Sequence, residues 1–211
     1  FGKSTVAALA GQMITRGTSR YNRTQLADES EKLKIAGGIS GLSANFQTTR
    51  GNLAAALKLV AHVMREPAFP EAEFEQLKKQ MLTSIEAQKS EPQAVAAAEL
   101  ARHFNQFPRG DLRYASSLAE SEEDVRAVTL EQVKAFHRDY YAAQRGEIAI
   151  VGDFDEAAVM AVLKEAFGDW KGGMPWSRVT TPYKDFPALN RNLETPDKEN
   201  ALFVARLNVD G

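Results

Sequence analysis

Cysteine is absent from this 211-residue sequence, and histidine occurs only three times. Without thiols there is no disulfide framework, no thiolate metal site and no cysteine nucleophile. An excess of one charge is missing too. Twenty-six basic residues face 28 acidic ones, for a formal charge of −2, so nothing attracts nucleic acid or an anionic membrane over long range. No apolar run approaches the length of a bilayer span. No signal peptide is visible, because Phe1 stands directly before a helical pattern.

Hydrophobic residues make up 44% and charged residues 26%, as in a soluble chain with a real core. The length suits one α+β domain with the edge of a second. Both ends read as cuts in a longer protein: a helix pattern starts at once, and a strand pattern, Ala201 to Val209, stops two residues before the terminus.

Helical spacing places a first helix over about Lys3–Thr15, with Val6, Leu9, Met13 and Ile14 on one stripe, ending at Gly17. A second starts near Thr24, read as its cap. Gly37-Gly38 is expected to turn a hairpin whose second strand, Ile39–Thr48, alternates. Leu42, Ala44 and Phe46 point one way, and Ser43, Asn45 and Gln47 the other. Further helices are expected over Asn52–Met64, Glu71–Gln88, from Pro92, from Thr129 and from Asp155. Gly110–Glu123 reads as loop, and Glu147–Val151 as a short buried strand. Asp169–Pro187, rich in Gly, Pro, Trp and Tyr, reads as a linker. Asn190–Glu194 and Ala201–Val209 then read as strands joined through Thr195-Pro-Asp-Lys198.

His62, His103 and His137 are nowhere three or four residues apart, so the pairing that sets two imidazoles on one metal is missing. Each is expected to be a polar residue at a helix border, with Glu99 as a surface partner of His103. The acidic cluster Glu122, Glu123 and Asp124 reads as favourable charge before a helix N-terminus. Phe1-Gly-Lys-Ser-Thr5 resembles the end of a phosphate-binding loop, and Ile148–Asp153 the strand that would supply a magnesium-holding Asp. The upstream strand and first glycine of such a loop are not there to support it, so a nucleotide-binding fragment around Gly2-Lys3-Ser4-Thr5 is only an alternative reading.

An ordered series of phrases is more informative. Arg16-Gly17-Thr18 and Tyr21 precede a Gly-rich hairpin; Leu57-Lys-Leu-Val-Ala-His-Val-Met64 runs into Glu66-Pro-Ala-Phe69. Phe74–Gln80, Thr129–Phe136, Tyr140-Tyr141, Ile150-Val-Gly-Asp153 and Phe167-Gly-Asp-Trp170 follow. Taken together, in this order and over Lys3 to Trp170, they resemble the pitrilysin/insulinase family of zinc peptidases. That resemblance implies an α+β fold of the LuxS/MPP-like metallopeptidase type, with a mostly antiparallel sheet and helices packed on one face. It implies a domain over 1–168 whose N-terminal strands are missing, a linker over 169–187 and the first strands of a following domain over 188–211.

The family's catalytic signature is H-x-x-E-H, with a further Glu on a later helix. Two imidazoles and a carboxylate hold zinc, and the motif Glu takes a proton from the bound water. The resemblance puts Ala8 and Gln12 at the histidines, Gly11 at the general base and Ser84 at the third ligand, with Glu86 two residues away. None of the four retains a useful zinc ligand or base. No catalytic or metal residue is therefore expected, and zinc is expected only in the catalytic half of the full protein. The implied role is that of a non-catalytic domain, from the second half of a large bacterial peptidase, closing a chamber over unfolded peptide. Its partners would be the catalytic half and the peptide, with no nucleic acid or membrane. Ser43, Asn45 and Gln47 are the candidate peptide-lining face. A periplasmic address is expected only by analogy with bacterial relatives. The other alternative is a stand-alone peptide-binding or assembly module without peptidase activity.

Overall fold

Eight α-helices and one β-hairpin make up the regular structure in this computed structural model, which describes residues 3–175, 177–195 and 198–209. In chain order they are α1 (Lys3–Met13), α2 (Arg23–Lys32), β1 (Ala36–Ser40), β2 (Ser43–Gln47), α3 (Leu53–Arg65), α4 (Glu71–Lys89), α5 (Pro92–His103), α6 (Leu118–Ala127), α7 (Leu130–Tyr140) and α8 (Glu156–Phe167). The chain divides into two compact units: Val6–Glu75 with Thr129–Trp176, and Gln76–Val128 with Ser177–Gly211 and the first five residues. Among the described residues no helix is long and apolar enough to cross a membrane.

In the larger unit α3 is the central element. Ala56, Leu57, Leu59, Val60, Ala61 and Val63 are all buried, so the apolar surface wraps most of the helix rather than one stripe. Leu59 and Val63 meet Leu26 of α2, with Ile39 of β1 packed beside them. Leu57 meets Val159 and Val162 of α8, with Phe46 of β2 alongside. The hairpin therefore turns its Ile39/Phe46 face to the helices. Arg50 closes the same side with a two-oxygen contact to Asp153, 2.7 Å to each.

Local chemistry sets the helix starts. Asn22, not Thr24, caps α2: its side chain accepts from the Gln25 N–H while Gln25 returns a bond to the Asn22 N–H. An isolated bridge between Gly17 and Asn22 already holds the cap in place. Thr129 and Gln132 form the equivalent box at α7, and Asp155 caps α8. The hairpin turn lies at Gly41-Leu42, four residues later than the Gly37-Gly38 expectation. Those two glycines sit inside β1, paired with Phe46 and Asn45. Gly41, at φ +56°, supplies the left-handed first position that a two-residue hairpin turn demands.

The smaller unit packs α6 along α4, with Leu77 and Val125 almost fully buried. The Lys78 ammonium donates to the carbonyls of Arg126 and Val128 at the end of α6, where a cation suits the helix dipole. Residues 118–123 of the stretch expected to be loop are helical, as part of α6. The Ser117/Glu120 capping box that starts them is plain in the sequence. The acidic cluster thus lies within a helix and is paired: Glu122 with Lys89 and Arg126, Glu123 and Asp124 with Arg109. Glu99 bonds Arg191 rather than His103, and His103 bonds the Pro187 carbonyl at 2.8 Å.

The expected sheet is wider than the observed one. Among the described residues the pairing is one antiparallel register, Ala36 opposite Gln47 through Ser40 opposite Ser43. Glu147–Val151, Asn190–Glu194 and Ala201–Val209 form no ladder. Pro196 and Asp197 of the expected joint lie outside the described residues, as do Phe1 and Gly2. Exposure agrees with this: Val151 is 99% and Phe203 90% exposed, so these side chains are not covered by a neighbouring strand among the described residues. An α+β chain dominated by helices results. Since α3 carries the larger unit's core, Leu57→Ala should cost about 2–5 kcal/mol. In urea unfolding the midpoint should fall with the slope unchanged.

Candidate functional site

Three of the positions that resemble a zinc centre lie on α1. Ala8 and Gln12 are exposed, and Gly11 between them is buried. With Thr15, Ser40 and Gly41 they line an open depression of about 410 Å³. A Cβ placed on Gly11 would come within 2.9 Å of the Gly41 Cα and 3.8 Å of the Tyr141 hydroxyl. The space that a catalytic glutamate would need is thus taken by the backbone of the hairpin turn. In the smaller unit, Ser84 accepts a bond from Gln88, and Glu86 is paired with Lys89 at 2.8 Å. Among the described residues no group of three or more His, Asp or Glu could hold a metal ion. An amide, two side chains without donors and a hydroxyl do not fit zinc, and no chemistry through zinc can be derived for this domain.

The expected peptide-lining residues do share a face. Ser43, Asn45 and Gln47 alternate along β2 with Ala44 and Phe46, and all three are exposed. Ser43 is partly engaged, its hydroxyl donating to the Ser40 carbonyl at 3.1 Å.

The best-built polar cluster was not anticipated from the sequence. Thr18, 6% exposed, sits in the turn after α1. Its hydroxyl oxygen accepts from the N–H groups of Tyr21 (3.1 Å) and Arg20 (3.3 Å), so its own proton goes to His62 Nε2 at 2.9 Å. His62 Nδ1 then carries the ring proton. It is buried without a hydrogen-bond partner, its nearest acceptor being a Glu66 oxygen at 3.5 Å. The Ser19 hydroxyl, at 2.7 Å, helps hold the Glu66 carboxyl below its ordinary range. Backbone bonds run in parallel: Ser19 N–H to the Glu66 carbonyl, and Ala68 N–H to the Gly17 carbonyl. From α7, His137 Nε2 donates to the Met64 carbonyl at 2.7 Å. Arg65 donates to Asp169 and lies 5.8 Å over the Trp170 ring. Two histidines expected at helix borders are therefore pins of one junction. The signal was a threonine next to Gly17, and a histidine four residues before Glu66 on a helix.

Two further segments can be placed. The Phe107-Pro-Arg-Gly110 loop closes on itself: the Arg113 guanidinium covers the Phe107 ring at 3.7 Å and grips Asp111, whose carboxyl it pulls down to about 2. Asp153, the magnesium-site residue of the nucleotide reading, is held by Arg50. The Lys3 backbone opens α1; Phe1 and Gly2 are not described.

Comparison with known proteins agrees with this geometry. The peptidase M16 inactive domain matches residues 127–209. Over that stretch the chain is similar to a non-catalytic peptidase domain. Among solved structures, the M16 inactive domain from Pseudomonas fluorescens is 27% identical with a TM-score of 0.69, over 84% of this chain and 43% of that one. A protease from Helicobacter pylori shares 19% identity at a TM-score of 0.67, over 89% and 45%. The periplasmic protease PqqL from Escherichia coli shares 14% at 0.60, over 85% and 21%. These last two show likeness of fold alone. The chain spans less than half the length of the solved chains it matches. No curated protein matches it.

Gly11, which the sequence resemblance puts at the general base, gives the sharpest test of this packing. Gly11→Ala gains about 1 kcal/mol of helix propensity but drives a Cβ into the Gly41 backbone, an overpacking cost of about 1–3 kcal/mol. The expected sign is net destabilisation, measured as a lowered melting temperature. A raised one would show that the turn gives way freely.

Proposed function

We propose that this chain is the non-catalytic partner domain of a zinc endopeptidase, closing the chamber in which the catalytic half cleaves unfolded peptides. One observation carries the reading: in a fold like those of M16 peptidases, Gly11, which the sequence resemblance puts at the general base, is packed against a hairpin turn. A domain that keeps the scaffold and fills the catalytic space with its own backbone is suited to binding and closure. Zinc and the attacking water would belong to the catalytic half, in the same chain or in a partner subunit.

The polar face of Ser43, Asn45 and Gln47 would line the chamber, exchanging hydrogen bonds with peptide amides. Support comes from its shared orientation and exposure. An M16-fold relative, the ferredoxin protease FusC, has been crystallised with a protein, Arabidopsis ferredoxin. The domain limits 1–168, 169–187 and 188–211 belong to the same proposal. So does a wider, mostly antiparallel sheet of LuxS/MPP-like form, for which the uncovered apolar residues of 148–151 and 201–209 would be the remaining strands.

Two measurements test the proposal. The purified domain alone should carry no stoichiometric zinc by elemental analysis and cleave no peptide, with hydrolysis appearing only when the catalytic half is present. One tightly bound zinc with hydrolysis would reverse it, whereas function in the absence of any peptidase half would favour the stand-alone module. In the full protein, Asn45→Ala with Gln47→Ala should raise peptide KM about 3- to 30-fold with little change in kcat, as expected for two lost hydrogen bonds. An unchanged KM removes the lining role.

A further inference from the structure

The connection between α3 and α4 holds a strained residue against a titratable one. Phe69 is 7% exposed and has φ +48°, a left-handed value that a bulky residue adopts only when its surroundings hold it there. Part of that support is His137, whose ring meets the Phe69 ring edge-on at 5.4 Å and lies 4.6 Å from Tyr141. His137 Nε2 also donates to the Met64 carbonyl, a bond that both forms of the ring can make, so it is burial between the two aromatic rings that favours the neutral one. Beside Phe69, Thr18 bridges Pro67 and the Ala68 N–H bonds the Gly17 carbonyl.

We propose that the α3–α4 connection is an acid-sensitive joint, kept shut by the neutral ring of His137. Protonation adds charge and a second N–H to a ring packed between two aromatic neighbours. No nearby carboxylate is free to answer it. On α7, Arg138 and Asp139 pair with each other, and Tyr141 is raised by burial and stays neutral. On α3 and its connection, Arg65 faces Asp169, His62 meets Thr18, and Glu66 is bonded by Ser19. At the start of α4, Glu73 faces Arg16 and Arg23.

Burial lowers the His137 pKa from 6.5, opposed only by the bond to Met64. The unfolded chain therefore binds more protons just below pH 6.5, and stability falls as pH drops through that window, levelling once both states are charged. With Phe69 less well supported, the Gly17–Ala68 and Ser19–Glu66 bonds should open first. This inference does not depend on the chamber role.

The test compares urea unfolding of the chain at about pH 7.5 and about pH 5.5 with His137→Gln, whose amide still donates to Met64 but does not titrate. His103→Gln, in the smaller unit, serves as the control. The wild-type unfolding constant should rise about threefold to tenfold on acidification, and His137→Gln should abolish most of that rise. Hydrogen exchange at Ala68 and Ser19, corrected for intrinsic rates, should quicken in acid only in the wild type. An undiminished acid slope in His137→Gln, or exchange indifferent to pH, overturns the joint. If that variant does not fold, an NMR titration of the wild-type imidazole decides: a midpoint below about 6.5 supports the proposal, and one at or above it refutes it.

Discussion

A buried threonine hydroxyl bonded to a histidine clips the turn after α1 onto the end of α3. Most of the larger unit hangs on that clip. Thr18 has lone pairs enough for two backbone N–H groups and a single proton to give, so His62 must be an acceptor at Nε2. This choice leaves Nδ1–H towards Glu66, whose backbone carbonyl is already bonded to Ser19. Each group is fixed by the previous one. Because α3 packs on α2 and the hairpin through Leu59 and Val63 and on α8 through Leu57, fixing its last turn also helps fix their directions around it.

The same junction explains which phrases of the sequence were readable. Arg16-Gly17-Thr18, Tyr21, the stretch from Leu57 to Phe69, Tyr140-Tyr141 and the Phe167–Trp170 end of α8 lie far apart in the chain. In the structure most of them bear on one joint: Gly17 and Thr18 through backbone bonds, Tyr21 edge-on to His62, Tyr141 against His137 and Trp170 beneath Arg65. Helices were legible because burial every three or four residues leaves a periodic record, and because Thr129 and Asp155 cap them visibly. Strand pairing was not. Alternation in Ala201–Val209 records a preference for a sheet but carries no information about the neighbour, and its apolar residues stay uncovered. The hairpin turn was misplaced for a related reason: three glycines lie close together, and only the φ of +56° at Gly41 marks where the chain reverses.

Of the candidate site, the sequence could show only that four positions lack zinc-binding chemistry, and not what packs around them. Gly11 costs a helix about 1 kcal/mol relative to alanine, which looks like waste until the Gly41 backbone is found against it. The polar cluster was missed because its members are ordinary. A threonine and a histidine 44 residues apart become a unit only when two turns are brought together.

Close contact between α1 and the hairpin ties two separate stretches of the larger unit together. A bound metal would cross-link a fold by adding its binding energy to folding; packing does it here in a different way. With no side chain at position 11, dispersion and exclusion of water act over the whole approach of helix to turn, where a metal would act through a few strong bonds. The arrangement has a consequence. Any side chain at Gly11 would require the Gly41 turn to withdraw, so the packing that joins helix and turn is also what keeps position 11 free of a side chain.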